Sequence, residues 1–307
     1  MMDYETFDRD LARLALKEAL GEVGLSAALP QVVWAGTSVV FRVGDYAARV
    51  VSTQSSITTL VLLAEIARFL NANGVRATRP ADELSPSPIR TANGYVFFWK
   101  WVPHRTDVLP SVSERGAMLR RLHDLPTPDW LPPTDPFKLS RLRLKQIADH
   151  GLASAGELST LETALANVED RWARATVRNG FIHGDYTNGN VIVSPDGLVM
   201  TDFENTGLGP KEWDLIQPVM AHRRFGAAIE EVDEFFNAYG VHPDLKMLED
   251  LSRGKEVRAT IWCFASRPMG PVFVAESLHR LGTLADPDDR TPWQPLDPHT
   301  VAPDAFR

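Results

Sequence analysis

Along the first third of the chain, the spacing of apolar residues alternates between the helical and the strand period. Phe7, Leu11 and Leu14, at spacings of four and three, predict an amphipathic helix with that apolar face, ending near Gly24. Runs rich in β-branched residues follow at Gln31 to Ala35, Val39 to Val43 and Tyr46 to Val51. Gly36 and Gly44-Asp45 separate them, and such short turns predict an antiparallel meander. Thr58 to Asn73 reads as a helix with Leu62, Ile66, Phe69 and Leu70 on one face and Gly74 as its stop. A turn-rich stretch from Pro80 to Pro88 leads into a strongly apolar strand, Tyr95 to Val102.

After Pro103 the helical period takes over. Helices are expected over Val112 to His123, near Phe137 to Asp149, and over Glu157 to Val177. Two short strands, Asn190 to Val193 and Leu198 to Thr201, flank Ser194-Pro195-Asp196-Gly197, a sequence suited to a tight hairpin turn. Further helices are expected at Glu212 to His222, with Pro218 kinking or interrupting it, Ala227 to Tyr239, Leu245 to Phe264 and Val272 to Leu284. The Pro- and Asp-rich tail from Asp286 reads as irregular. A β-rich part with one internal helix before a helical remainder predicts an α+β chain, divided into residues 1–102 and 103–307.

Composition narrows the function. The 307 residues suffice for two moderate lobes around one cleft, and 44% hydrophobic with 23% charged residues is ordinary for a globular protein. A net charge of -8 argues against nucleic acid as a partner, since phosphate neutralisation needs clustered cations. The single cysteine, Cys263, excludes a disulfide framework and a multi-cysteine zinc site, and its apolar neighbours predict a buried, unreactive thiol. Asp3, Glu5, Asp8 and Asp10 are unlike the start of a signal peptide, and no apolar run reaches the ~18 residues of a membrane span. A cytoplasmic protein with no membrane partner is therefore expected.

One segment concentrates the chemistry: His183-Gly184-Asp185-Tyr186-Thr187-Asn188-Gly189-Asn190, followed by Asp202-Phe203-Glu204. Asn190 opens the predicted hairpin and Asp202 closes it, so the hairpin should return Asp202 beside Asn190. Mg²⁺ prefers hard oxygen ligands, usually one or two from the protein with the rest from phosphates and water, and Asn190 and Asp202 suit that role. Asp185 would orient an incoming hydroxyl and accept its proton during phosphoryl transfer. The bland alternative, three residues capping turns, suits each alone better than it suits all three at this spacing. His183 reads as a structural histidine rather than a general base, and His123 as a helix-end packing residue. Glu204 is either a further metal ligand or a nearby negative charge. The acidic run Glu230, Glu231, Asp233 and Glu234 reads first as a solvated helix face, with attraction of a cationic substrate as the alternative.

His-Gly-Asp-x4-Asn followed by Asp-Phe-Glu resembles the catalytic loop and metal motif of the aminoglycoside phosphotransferase and choline kinase-like family. The resemblance implies a bilobal protein-kinase-like fold, with a β-rich nucleotide-binding lobe and a mainly helical catalytic and substrate-binding lobe. It implies Asp185 as the catalytic base, Asn190 and Asp202 as Mg²⁺ ligands, and Asp214 of Trp213-Asp214-Leu215 as a brace for the loop. It also places Gly36-Thr37-Ser38 over the nucleotide phosphates and Arg49 on the α/β-phosphates, with Glu65 paired to Arg49. Arg49 departs from the lysine of protein kinases, and the substitution is not neutral. Trp99-Lys100-Trp101-Val102 falls where the segment between lobes would hold the adenine, with Lys100, Trp101 and Val102 as contacts. The implied activity is transfer of the γ-phosphoryl group of ATP, or GTP, to a hydroxyl of an antibiotic, amino-alcohol or sugar. A catalytically dead nucleotide-binding module and a protein kinase are the competing readings. The first should lack Asp185, Asn190 or Asp202; the second needs an activation segment that the short Asp202–Glu212 interval does not accommodate.

Overall fold

The computed structural model describes residues 7–26, 30–105, 108–174 and 179–296. The expected extension of one helix to Val177, the acidic positions Asp3 and Glu5, and the end of the tail lie outside the described residues. The chain divides into two compact units: Met1–Pro110 with Asn188–Glu204, and Ser111–Thr187 with Asn205–Arg307. The division differs from a single cut near residue 102, because the hairpin after Asn190 clusters with the N-terminal strands.

The first unit opens with α1 (Arg9–Glu22), whose first turn is capped by the Asp8 carboxylate accepting from Asp10 N–H at 2.7 Å and Leu11 N–H at 3.0 Å. Leu11 and Leu14 do not form its inner face; they are 43% and 53% exposed. The buried stripe is Ala12, Ala15, Leu16, Ala19 and Leu20. Small alanines let the helix approach the sheet closely, an option that apolar periodicity weighted by size overlooks.

Strands β1 (Gln31–Ala35), β2 (Ser38–Val43) and β3 (Tyr46–Val51) form the meander. Helix α2 (Ile57–Ala72) follows, started by the Ser56 hydroxyl and stopped at Gly74, whose φ is +79°. Its buried positions are Leu60, Leu63, Ala64, Ile66, Ala67 and Leu70, with Leu62 and Phe69 half-buried. Strands β4 (Ile89–Arg90) and β5 (Tyr95–Lys100) complete an antiparallel sheet of order β1-β2-β3-β5-β4. Alternation divides its residues. Val39, Phe41, Val43, Ala48, Val50, Val96 and Phe98 pack with α1 into one core, while Val40, Arg49 and Phe97, aligned in register, occupy the opposite face.

The second unit begins with α3 (Val112–His123), whose start is a reciprocal capping box between Ser111 and Glu114. Helices α4 (Lys138–Asp149) and α5 (Ala155–Arg174) lead to β6 (Asn179–Ile182). The chain then supplies the hairpin β7 (Val191–Ser194) and β8 (Gly197–Met200) to the first unit, where Met200 bridges Ala77 and exchanges backbone hydrogen bonds with Arg76 and Thr78 at 2.9 Å. Returning, β9 (Gly207–Pro210) pairs with β6, a ribbon that the sequence pattern did not suggest because both partners are short and glycine-bearing.

Four helices follow: α6 (Glu212–Phe225), α7 (Ile229–Tyr239), α8 (Leu245–Ala265) and α9 (Pro271–Thr283). Pro218 does not interrupt α6, which runs on past it; proline removes one helical donor, here the one due to the Asp214 carbonyl. Glu230, Glu231, Asp233 and Glu234 are exposed on α7, consistent with a solvated face, and Glu231 also accepts from the Ala228 N–H at the helix start. Cys263 is fully buried, and burial pushes its thiol up to about 11, so it is inert. Residues 286–296 are irregular, yet Trp293 is buried. Among the described residues no helix is long and apolar enough to cross a membrane.

Candidate active site

In the second unit, the His183-Gly184-Asp185 loop leaves the β6–β9 ribbon and is held from beneath by Asp214. One carboxylate oxygen accepts from the His183 N–H at 2.7 Å and His123 Nε2 at 3.2 Å; the other accepts from the Gly184 N–H at 2.9 Å. Burial by itself would raise the fully buried Asp214 carboxyl. The His123 hydrogen bond and the positive potential of His123, His183 and Lys255 outweigh it and hold the group below the usual carboxylate range. A charged Asp214 can accept from every one of these donors, so the loop backbone is locked to an anion.

Each neighbour adds a constraint. Trp213 Nε1 donates to the Gly184 carbonyl at 2.7 Å, and the Thr206 hydroxyl donates to the His183 carbonyl at 3.1 Å. Gly184 sits at φ +80°, and a Cβ there would overlap the Asn205 carbonyl oxygen, so both backbone conformation and space require glycine. His183 is fully buried, and its Nδ1 accepts from the Asp185 N–H at 3.4 Å. That is a scaffold position. His123 does more than close α3: besides Asp214 it hydrogen-bonds Tyr239 Oη at 2.9 Å, while its carbonyl accepts from Lys211 Nζ. The sequence signal for this role was weak, because His123 and Asp214 are far apart in the chain.

Below Trp213 lies an aromatic cluster, with Phe137 at 5.7 Å and Trp172 at 4.9 Å between ring centroids. Two basic residues of α8 stand over the same indole: Lys255 Nζ at 5.4 Å and the Arg258 guanidinium at 5.5 Å from its centroid. The sequence does not set them apart, because Lys246, Glu249, Asp250, Arg253 and Glu256 make charge common along the same helix.

In the first unit, the hairpin brings Asn190 and Asp202 together as its spacing predicted. Val191 pairs with Met200, and the Thr201 N–H donates to the Asn190 carbonyl at 3.0 Å, extending the ladder to the residue before Asp202. Asp202 has φ +63°, the single non-glycine residue with positive φ among the described residues. Such a conformation is uncommon for a side-chain-bearing residue and concentrates at functional sites. An amide and a carboxylate oxygen form a hard donor pair that suits Mg²⁺ completed by phosphate and water oxygens. Among the described residues no group of three His, Cys, Asp or Glu is placed to hold a metal by protein ligands alone.

The expected Arg49–Glu65 pair is not formed. Arg49 lies on the sheet face away from α1 and donates through Nη2 to Glu204, whereas Glu65 is exposed on α2. The hairpin, by joining the first unit, offers Arg49 a nearer carboxylate than the helix does. Glu204 accepts from Arg49 through one carboxylate oxygen, Oε1. Arg49 Nε is buried without a hydrogen-bond partner.

In the Gly36-Thr37-Ser38 turn, the Gly36 N–H donates to the Ser38 carbonyl at 2.9 Å and Ser38 is buried, which leaves Thr37 exposed at the tip. Along the proposed adenine segment, the Lys100 N–H donates to the Arg79 carbonyl at 2.7 Å and the Trp101 N–H to the Asp45 carbonyl at 2.8 Å. Lys100 Nζ pairs with Glu83, Arg42 covers the Trp101 ring at 4.7 Å, and the Val102 carbonyl contacts His104 Nδ1 at 2.7 Å. Lys100 and Trp101 thus have no backbone donor to spare for a base. Trp99 packs edge-on to Phe97 at 5.1 Å between centroids.

Among curated proteins none matches the sequence. Solved structures share the fold at low identity. An amicoumacin kinase in complex with AMP-PNP, Ca²⁺ and Ami aligns with a TM-score of 0.69 and 15% identity, over 94% of this chain and 96% of that one. A choline/ethanolamine kinase family protein from Mesorhizobium loti gives 0.63 and 16%, over 88% and 94%. An aminoglycoside phosphotransferase from Streptomyces rimosus gives 0.61 and 18%, over 82% and 98%. These matches agree with the observed α+β architecture, a five-stranded antiparallel sheet before a mainly helical part. Residues 28–254 match the model of the phosphotransferase enzyme family, and the chain belongs to that family of small-molecule kinases.

Proposed function

We propose that this protein transfers the γ-phosphoryl group of ATP to a hydroxyl of a small molecule, with Asp185 as the base. The observation that carries the reading is the Asp214 anchorage: a buried anion, two loop amides and a glycine that nothing else can replace hold the residue preceding Asp185. Preorganisation of this kind is what phosphoryl transfer asks of a protein. In the reaction the acceptor oxygen forms a bond to phosphorus, the bond from phosphorus to the bridging oxygen breaks, ADP leaves, and the hydroxyl proton passes to Asp185.

Asn190 and Asp202 would hold Mg²⁺, which when bound neutralises phosphate charge. Arg49, oriented by Glu204, would contact the phosphates, and Thr37 would approach them from the turn. The same site could use GTP, and the nucleotide is chosen by comparing the two as donors.

ADP release on mixing the protein with ATP, MgCl₂ and a panel of amino-alcohols, sugars and antibiotics tests the proposal. Asp185→Ala should slow turnover by roughly 10²–10⁴-fold; unchanged turnover would remove Asp185 from its role. Asp202→Ala should abolish Mg²⁺-dependent nucleotide binding, and retained tight binding of Mg·ATP would contradict the ligand assignment.

A further inference from the structure

We infer that Lys255 and Arg258 form an anion-binding subsite next to Asp185, so that the acceptor is a hydroxyl compound bearing a carboxylate or phosphate rather than a polycation. This rests on the phosphoryl-transfer reading above and specifies its substrate class.

Lys255 is 6% exposed, and its Nζ has no hydrogen-bond partner. A buried ammonium without hydrogen-bond acceptors is costly, because nearby charge and an aromatic face repay its desolvation only in part. Such groups are retained where a ligand completes them. Its position is defined: with the Arg258 guanidinium it stands over the Trp213 ring, at 5.4 Å and 5.5 Å from the centroid. That indole donates to the carbonyl of Gly184, the residue before Asp185. Burial lowers both cations from their ordinary values; the Asp185 charge opposes the shift in each, and Asp214 opposes it further in Lys255, as expected for cations within electrostatic reach of those carboxylates.

Beyond Asp185 and Asp214, which already face Lys255, the nearby acidic residues are engaged or remote. Glu256, the neighbouring carboxylate on α8, is consumed by Arg223, Arg224 and Arg253, and the acidic run of α7 is exposed. Two cations beside the base repel an amino-sugar. They attract an acceptor whose anionic group satisfies Lys255 and whose hydroxyl then lies near Asp185.

The experiment is calorimetric titration of the full chain, with Mg·AMP-PNP present, by a matched three-carbon set: glycerate, glycerol 3-phosphate, glycerol and 3-amino-1,2-propanediol. At least one anion should bind about tenfold or more tighter than glycerol, with the amine weakest, since hydrogen bonds to charged groups contribute that much. Lys255→Met and, separately, Arg258→Gln should erase most of that preference. Overturning results are equal or tighter binding of the amine, no binding by either anion, or an anion preference unchanged in both variants. The wild-type comparison decides the matter even if a variant misfolds. Mg·ATP binding and slow ATP hydrolysis by the wild type are read in parallel. If they hold and the anions show no preference, the subsite alone fails; if they are absent, the phosphotransferase reading fails.

Discussion

Replacing Asp214 by asparagine tests the anchorage of the His183-Gly184-Asp185 loop. Asp214 accepts from the His183 N–H, the Gly184 N–H and His123 Nε2, at 2.7, 2.9 and 3.2 Å, through both of its oxygens. The amide keeps one oxygen and places an NH₂ where the other was, so at least one buried loop N–H faces a donor. An orphaned buried donor costs about 1–3 kcal/mol, and breaking one side of a buried charged network about 3–5 kcal/mol in all. Against a total stability of about 5–15 kcal/mol, that is a large fraction. Urea unfolding should show a lower midpoint at unchanged slope. Turnover should fall by about 10²-fold, because a small displacement of a positioned group is enough.

The pH dependence has a definite sign. The folded carboxyl lies below its unfolded value, so its contribution is complete above about pH 4 and is lost as pH falls through the folded value. Asparagine does not titrate, so the part of the gap owed to the Asp214 charge should close in strong acid, as pH falls through the folded value. A loss under about 1 kcal/mol together with wild-type turnover would refute the anchorage argument.

Gly184→Ala should be less tolerated than an ordinary loop substitution. The new Cβ overlaps the Asn205 carbonyl at φ +80°, and turnover by the ADP-release assay should be lost even in whatever fraction folds. Glu256→Ala leaves Arg223, Arg224 and Arg253 facing one another in the interior, and about 3–5 kcal/mol of stability should disappear by urea titration. Arg49→Met should raise the KM for ATP, whereas Glu65→Gln should leave KM unchanged and stability within about 0.5 kcal/mol. Equal effects of these last two would restore the strand–helix pair in place of Arg49–Glu204.

The local pattern of the chain carried much of the architecture. Helix α3 matches its expected span residue for residue, because a capping box and a regular apolar stripe are read within a dozen positions. The β7–β8 hairpin was legible for the same reason, from Pro195-Asp196-Gly197 between two apolar runs, and with it the proximity of Asn190 and Asp202. Sequence alone also set apart Asp185, since His-Gly-Asp, Asn and Asp at fixed spacing form a chemically coherent group.

Contacts between residues distant in sequence belonged to the tertiary structure. The β6–β9 ribbon, the exposure of Leu11 and Leu14, and the choice of Glu204 over Glu65 by Arg49 each depend on which surface arrives opposite, and no local period encodes that. The same holds for His123, ninety-one positions from Asp214, and for Lys255 and Arg258 over Trp213. Chain connectivity determined which residues could do chemistry. Packing decided which of them are held in place and which charges stand near Asp185.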